Sequence, residues 1–130
     1  KNLGENLFKN VGVFRNHDSL TEALEYIHYL MDLQYGLHCV NKELNNNVEL
    51  ASILEFKNAL VIAEAMTICA LARQESRGVH YRDDYPDKST GYFNAASFIV
   101  QLSNELSEVT FARAVGNNSW YKIKKMLNLG

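Results

Sequence analysis

Apolar positions recur at helical spacing from the start of the chain. Leu3, Leu7, Phe8 and Val11 fall on one helical face, so residues 3–12 are expected to form a short amphipathic helix. His17-Asp18-Ser19 then interrupts the pattern, and Ser19 with Glu22 fits a capping box. The stripe Leu20, Leu24, Ile27, Met31 and Leu37 predicts a second helix from Leu20 to Leu44. Gly36 would cost that helix about 1 kcal/mol. Asn45-Asn46-Asn47 reads as a turn, and Asn46 with Glu49 as a second capping signal. A third helix is expected from Val48 to Arg77. Its first half is amphipathic. From Ala59 to Ala72 it is broken only by Glu64 and Thr67. A helix apolar nearly all round must be covered on more than one side. Two companion helices do not suffice for that, which points to a neighbour outside this chain.

The end of that run is punctuated. Gly78 suits the left-handed conformation that stops a helix. Pro86 opposes a restart. Residues 87–94 are polar and turn-rich. Ser97 to Leu102 and Val109 to Val115 are rich in Phe, Ile, Val and Thr and predict a β-hairpin. After the turn Gly116-Asn117-Asn118, Ser119 is placed to cap a last helix, Trp120 to Leu129, bearing Lys122, Lys124 and Lys125. The expected fold is mainly α: a helical bundle of two long antiparallel helices plus a short one, then a β-hairpin and a short C-terminal helix. Residues 1–92 would form the bundle and its charged loop, and 93–130 the hairpin and terminal helix, together as one domain.

Composition narrows the functional classes. The chain has 130 residues, 47% of them apolar, enough for one domain with a core. A net charge of −2 gives no electrostatic case for nucleic-acid binding. The longest apolar run is too short and too interrupted to span a bilayer, and no signal-peptide pattern opens the chain. The expectation is a soluble protein, associated with a membrane only through partner subunits. It opens on Lys1, which fits a mature form or a piece of something larger. Cys39 and Cys69 each lie in an apolar context of a predicted helix and read as buried free thiols. They lack the spacing of a metal pair.

The densest chemistry is Glu75-Ser76-Arg77-Gly78-Val79-His80-Tyr81-Arg82-Asp83-Asp84-Tyr85-Pro86, delivered by the buried end of the third helix. One reading is a solvated loop after a helix cap. The other is interdomain pairing, since arginine forks hold carboxylates bidentately. Elsewhere the signals are weak. His17 reads as a surface or satisfied residue. So do His28 and His38, ten apart and not aligned on one helix. Glu64 is odd in its apolar run and would pair with an arginine or lie at the missing interface. The glycines at 4, 12, 36, 78, 91, 116 and 130 form no Gly-x-Gly-x-x-Gly turn, so no dinucleotide site is expected here. The three terminal lysines read as a solvated face.

Three segments, in order, resemble one known family. Residues 70–86, Ala-Leu-Ala-Arg-Gln-Glu-Ser-Arg-Gly-Val-His-Tyr-Arg-Asp-Asp-Tyr-Pro, are similar to the C-terminal signature of succinate dehydrogenase and fumarate reductase flavoprotein subunits. Asn10-Val11-Gly12-Val13-Phe14-Arg15-Asn16 resembles the segment before that family's long helices. Lys57 to Ala65 resembles the start of its signature helix. The resemblance departs after Pro86, where Asp87 to Asn94 lacks the family's acidic pair and Lys-His-Thr; Phe93 stands where an aromatic would.

The resemblance implies a C-terminal domain excised from a larger flavoprotein. The full enzyme would move a hydride between FAD and fumarate or succinate and exchange electrons with an iron–sulfur subunit. The catalytic and FAD-binding residues would lie upstream, with none in this fragment and no metal site. Glu75, Ser76, Arg77, Gly78, His80, Arg82 and Asp84 would shape an interdomain loop that docks on the protein's own flavin-binding domain. Arg77 would end the helix and reach its last carbonyls, or Asp83 or Asp84. The isolated chain would expose an apolar patch where the flavin domain packs, or hide it by self-association. L-aspartate oxidase, of the same superfamily, is the neighbouring reading; the resemblance implies that it usually lacks the hairpin. A free-standing helical interaction module is the reading from another class.

Overall fold

A computed structural model describes residues 2–90, together with the backbone of strands at 96–102, 107–113 and 121–123. The chain runs α1 (Leu3–Asn10), β1 (Phe14–Arg15), α2 (His17–Gln34), α3 (Val48–Ala72), β2 (Tyr81–Arg82), β3 (Ala96–Leu102), β4 (Ser107–Arg113) and β5 (Tyr121–Ile123). The mainly helical class with a following hairpin holds.

The two long helices are antiparallel, as their core contacts show. Leu20, Ala23 and Leu24 near the start of α2 cluster with Ile68, Ala70 and Leu71 near the end of α3, and with Val11. Farther along α2, Ile27 packs with Leu60 and Ala63. Leu7 of α1 touches both clusters and closes the bundle. Leu20, Ile27 and Leu60 have no exposed surface, so each contributes about 1.5–3 kcal/mol of burial.

The predicted starts of α1 at Leu3 and α3 at Val48 hold, while both ends of α2 and the C-terminal ends of α1 and α3 move. Helix α2 starts at His17, capped by Asn16: the Asn16 side chain accepts from the Ser19 amide at 2.9 Å, and the Ser19 hydroxyl accepts from the Asn16 amide at 3.1 Å. Ser19 is thus the third helical residue, not the cap. The helix ends at Gln34 rather than Leu44. The amides of Tyr35, Gly36 and Leu37 tighten onto carbonyls three back, and the chain leaves as a loop.

That loop is stabilised by the start of α3. Glu49 accepts from the amides of Val40 (3.1 Å) and Asn41 (2.9 Å), and the Asn47 amide group donates to the Asn41 and Glu43 carbonyls. These bonds from the Asn41 and Val40 amides, and one from Cys39, hold the Glu49 carboxyl below its usual range. Asn47, not Asn46, caps α3 through the Leu50 amide; Asn46 takes the left-handed turn position at φ 53°. Cys39 therefore lies in a loop, not a helix. Both cysteines are free and half-buried, and burial pushes the Cys69 thiol up to about 11.

Helix α3 ends at Ala72, five residues before Arg77. Arg73 is already extended, at φ −85° and ψ 102°. Gly78 is left-handed, φ 61°, but it turns a two-residue hairpin between Arg77 and His80 rather than capping the helix. The parallel pair β1–β2, with Phe14 opposite Tyr81 and Arg15 opposite Arg82, was not expected from two residues per strand.

The hairpin β3–β4 pairs antiparallel from Ala96–Arg113 to Leu102–Ser107. Tyr121–Ile123 pairs antiparallel with β4 as a third strand. The predicted terminal helix is therefore wrong at these three residues, where Tyr and Ile alternate about Lys122 and suit a strand. The rest of that prediction, with Ser119, Lys124 and Lys125, lies outside the described residues. Among the described residues, no helix is long and apolar enough to cross a membrane.

Candidate functional site

The charged loop closes on two inward-facing residues at its base. Glu75 is fully buried. Its carboxylate receives Arg73, the Arg77 fork at 3.1 and 3.0 Å, and the Ser89 amide at 3.0 Å. Arg77 also donates to the Ser89 carbonyl at 3.0 Å. Burial alone would raise the Glu75 carboxyl, but the bonds from Arg77 and Ser89 and the charges of Arg77 and Arg73 outweigh it and leave it low. Ser76 does the same for the loop's middle. Its hydroxyl accepts from the Arg82 amide (2.9 Å) and donates to the Tyr85 carbonyl (2.8 Å), while its amide donates to the Asp87 carbonyl.

Arg82 is the organising cation, with 1% of its surface exposed. One edge grips Asp84 bidentately, at 2.7 and 2.6 Å. The remaining Nη1 donates to the carbonyls of Ala70 (2.9 Å) and Leu71 (3.3 Å), which α3 leaves without helical partners. Tyr85 lies over the guanidinium at 5.1 Å. Asp84 in turn accepts from the His17 amide at 3.0 Å, the first residue of α2. The pair thus sets a cation at the negative end of α3 and an anion at the positive end of α2, the arrangement both helix dipoles favour. The hydrogen bonds from Arg82, against the cost of partial burial, hold the Asp84 carboxyl down at about 2.

The helix-end role expected of Arg77 therefore belongs to Arg82. Arg77 serves Glu75 instead. Asp83 contributes its amide, which donates to the Arg15 carbonyl at 2.9 Å and holds β1 to β2.

His80 sits between two cations. Its Nε2 faces the Arg73 carbonyl at 3.2 Å and its Nδ1 faces Arg15 Nη1 at 3.3 Å. A carbonyl needs a donor and a guanidinium needs an acceptor, so the ring is neutral with the proton on Nε2. Burial lowers its pKa, and nearby Arg15, Arg73 and Arg82 lower it further against the Arg73 carbonyl bond. Arg15 was not singled out in the sequence as a site residue; its only signal was a place in the Asn10–Asn16 segment.

The remaining candidates fall elsewhere. His28 Nε2 meets Glu64 at 3.0 Å across α2 and α3, so the odd glutamate of the apolar run pairs with a histidine. His17 begins α2 and His38 lies in the following loop, so His28 and His38 do not share a helix. Among the described residues, no group of three or more His, Cys, Asp or Glu is placed to hold a metal.

Comparison with known proteins places this geometry. The family model described as the fumarate reductase flavoprotein C-terminal region matches residues 1–125. The chain belongs to that family. It is 40% identical over 86 residues to the fumarate reductase flavoprotein subunit of Helicobacter pylori, covering 66% of this chain and 12% of that one. It is 34% identical over 89 residues to the succinate dehydrogenase flavoprotein subunit of Bacillus subtilis, covering 68% and 15%. The L-aspartate oxidase of Vibrio cholerae is 37% identical over 78 residues, covering 60% and 14%. Among solved structures, E. coli quinol fumarate reductase FrdA shares the fold, with a TM-score of 0.79 and 16% identity over 92% of this chain and 22% of that one. The chain thus spans 12% to 15% of the length of these three curated relatives.

Proposed function

We propose that this C-terminal domain braces and docks a flavoprotein subunit of fumarate reductase or succinate dehydrogenase type. The full-length enzyme transfers a hydride between FAD and fumarate or succinate, and exchanges electrons with an iron–sulfur subunit. The chemistry lies outside this chain. One observation carries the reading: Glu75, Arg77, His80, Arg82 and Asp84 of the loop are spent on one another, on neighbouring arginines and on helix ends. Glu75 is enclosed by two arginines, Arg82 by Asp84 and two carbonyls, and His80 by Arg73 and Arg15. A general acid must reach substrate; these groups reach structure. Glu75, Ser76, Arg77, Gly78, His80, Arg82 and Asp84 therefore act as a rigid brace against the flavin-binding domain.

The test compares two purified products of the gene. The full-length flavoprotein should carry FAD and reduce fumarate with an artificial electron donor. Residues 1–130 alone should show no flavin absorption band. Flavin retained by residues 1–130, or a full-length product that oxidises L-aspartate and ignores fumarate, would overturn the assignment.

A further inference from the structure

Arginines at this loop are matched to carboxylates with one exception. Arg73 and Arg77 share Glu75, and Arg82 holds Asp84. Arg15 has no carboxylate within ion-pair reach among the described residues; its hydrogen-bonding partner there is the neutral His80 ring. Its Nε is sealed from water and makes no hydrogen bond. Burial lowers its pKa, and the Arg82 charge beside it lowers it further. A half-buried guanidinium that faces another arginine and lacks an anion is an incomplete arrangement, because partly buried charges are kept when they are paired.

The surroundings indicate what completes it. Arg15 lies on β1, whose neighbours Val13 and Phe14 are exposed, as are Val79 and Tyr81 on the adjoining turn and strand. Such an apolar rim suits a protein surface. A free dicarboxylate would need cations at both ends, and the other three arginines already hold carboxylates. The curated relatives carry more than four-fifths of their length outside the matched segment, which is ample chain to supply an acidic residue.

We infer that Arg15 receives a single Asp or Glu carboxylate from the part of the flavoprotein outside residues 1–130, and that this ion pair anchors domain docking. The inference rests on the docking reading above. His80 is its positioning residue: by accepting from Nη1, it turns the guanidinium and leaves Nη2 for the incoming carboxylate.

The test is a zero-length carbodiimide cross-link in the full-length flavoprotein carrying Arg15→Lys. The introduced amine attacks an activated carboxylate at ion-pair distance, forming an amide as the carbodiimide leaves as a urea. Mass spectrometry should find that amide joined to one Asp or Glu outside residues 1–130. Replacing that acid by its amide should lower Tm as much as Arg15→Gln does, and combining the two should add nothing. Cross-links confined to Asp83 or Asp84, or no cross-link together with an unchanged Tm for Arg15→Gln, would overturn the anchor. So would a tenfold rise in the KM for succinate in Arg15→Gln with Tm unchanged, since the ligand would then be a small molecule. Hydrogen exchange separates this from the wider reading. If the amides of Phe14 and Val79 are protected in the full-length protein whatever residue 15 is, docking stands and the anchor falls. If they exchange freely in the wild type, both fall.

Discussion

Arg82 and Asp84 join the C-terminus of α3 to the N-terminus of α2, and removing either has unequal consequences. Arg82→Ala leaves the Ala70 and Leu71 carbonyls and the Asp84 carboxylate without their cation. That should cost about 3–5 kcal/mol in urea unfolding, as for a broken buried pair. Arg77→Ala should cost less, because Arg73 still holds Glu75. The same residues set the acid response. Asp84 is depressed from 3.8 to about 2, so its contribution is complete above 3.8 and is lost as pH falls through about 2. His80 is depressed below 6.5, so the folded state binds fewer protons than the unfolded one, and stability declines as pH drops below about 6.5. His80→Gln, which keeps a donor and an acceptor, should flatten the decline between pH 7 and 5 in thermal melts. These partnerships were only partly legible in the sequence. A dense run of opposite charges announced internal pairing, but whether Arg77 or Arg82 reaches the helix end depends on where α3 stops. It stops at Ala72, with Arg73 already extended, before the charged motif begins. Glu64 shows the same limit: its partner His28 is a neighbour only once two helices pack antiparallel.

Helices were legible as elements and misplaced at their ends. The expected stripes hold at Leu7 and Val11 of the N-terminal segment and at Leu20, Leu24 and Ile27 of α2, which pack in the core, whereas Phe8 and Leu37 of the same stripes are exposed. Boundaries fall to competing side-chain bonds: Asn16 outcompetes Ser19 as the cap, and Glu49 holds the Cys39–Asn41 loop that periodicity alone would have kept helical. Short strands such as β1 and β2 carry no period to detect. Two glycines in these connections are predicted to behave differently. A Cβ on Gly78 meets nothing within 4 Å, so Gly78→Ala should cost only the left-handed penalty, about 1 kcal/mol. A Cβ on Gly12 would lie 2.4 Å from the Phe8 carbonyl oxygen, so Gly12→Ala must shift backbone and should cost more. Urea midpoints of the two variants, measured side by side, should show that order.

At the scale of the whole molecule, the covering of α3 is incomplete. Val61, Ile62 and Met66 are 44%, 60% and 58% exposed on a helix that also buries Leu60, Ala63 and Ile68. That is the pattern expected of a helix shared with a neighbour, and it explains why the apolar run has no polar side. Residues 1–130 in isolation should self-associate through this face, and Ile62→Glu should shift sedimentation toward monomer. A wild-type chain that stays monomeric at high concentration would mean the exposed residues are tolerated singly. The central claim is that this domain braces an enzyme whose chemistry lies elsewhere. Its most direct measurement is turnover per bound flavin in the full-length enzyme carrying Arg77→Ala. Turnover should stay within about tenfold of wild type, about 1.4 kcal/mol in the barrier, while Tm or subunit assembly falls. A thousandfold loss with flavin content and Tm unchanged would put this arginine on the substrate and contradict the account.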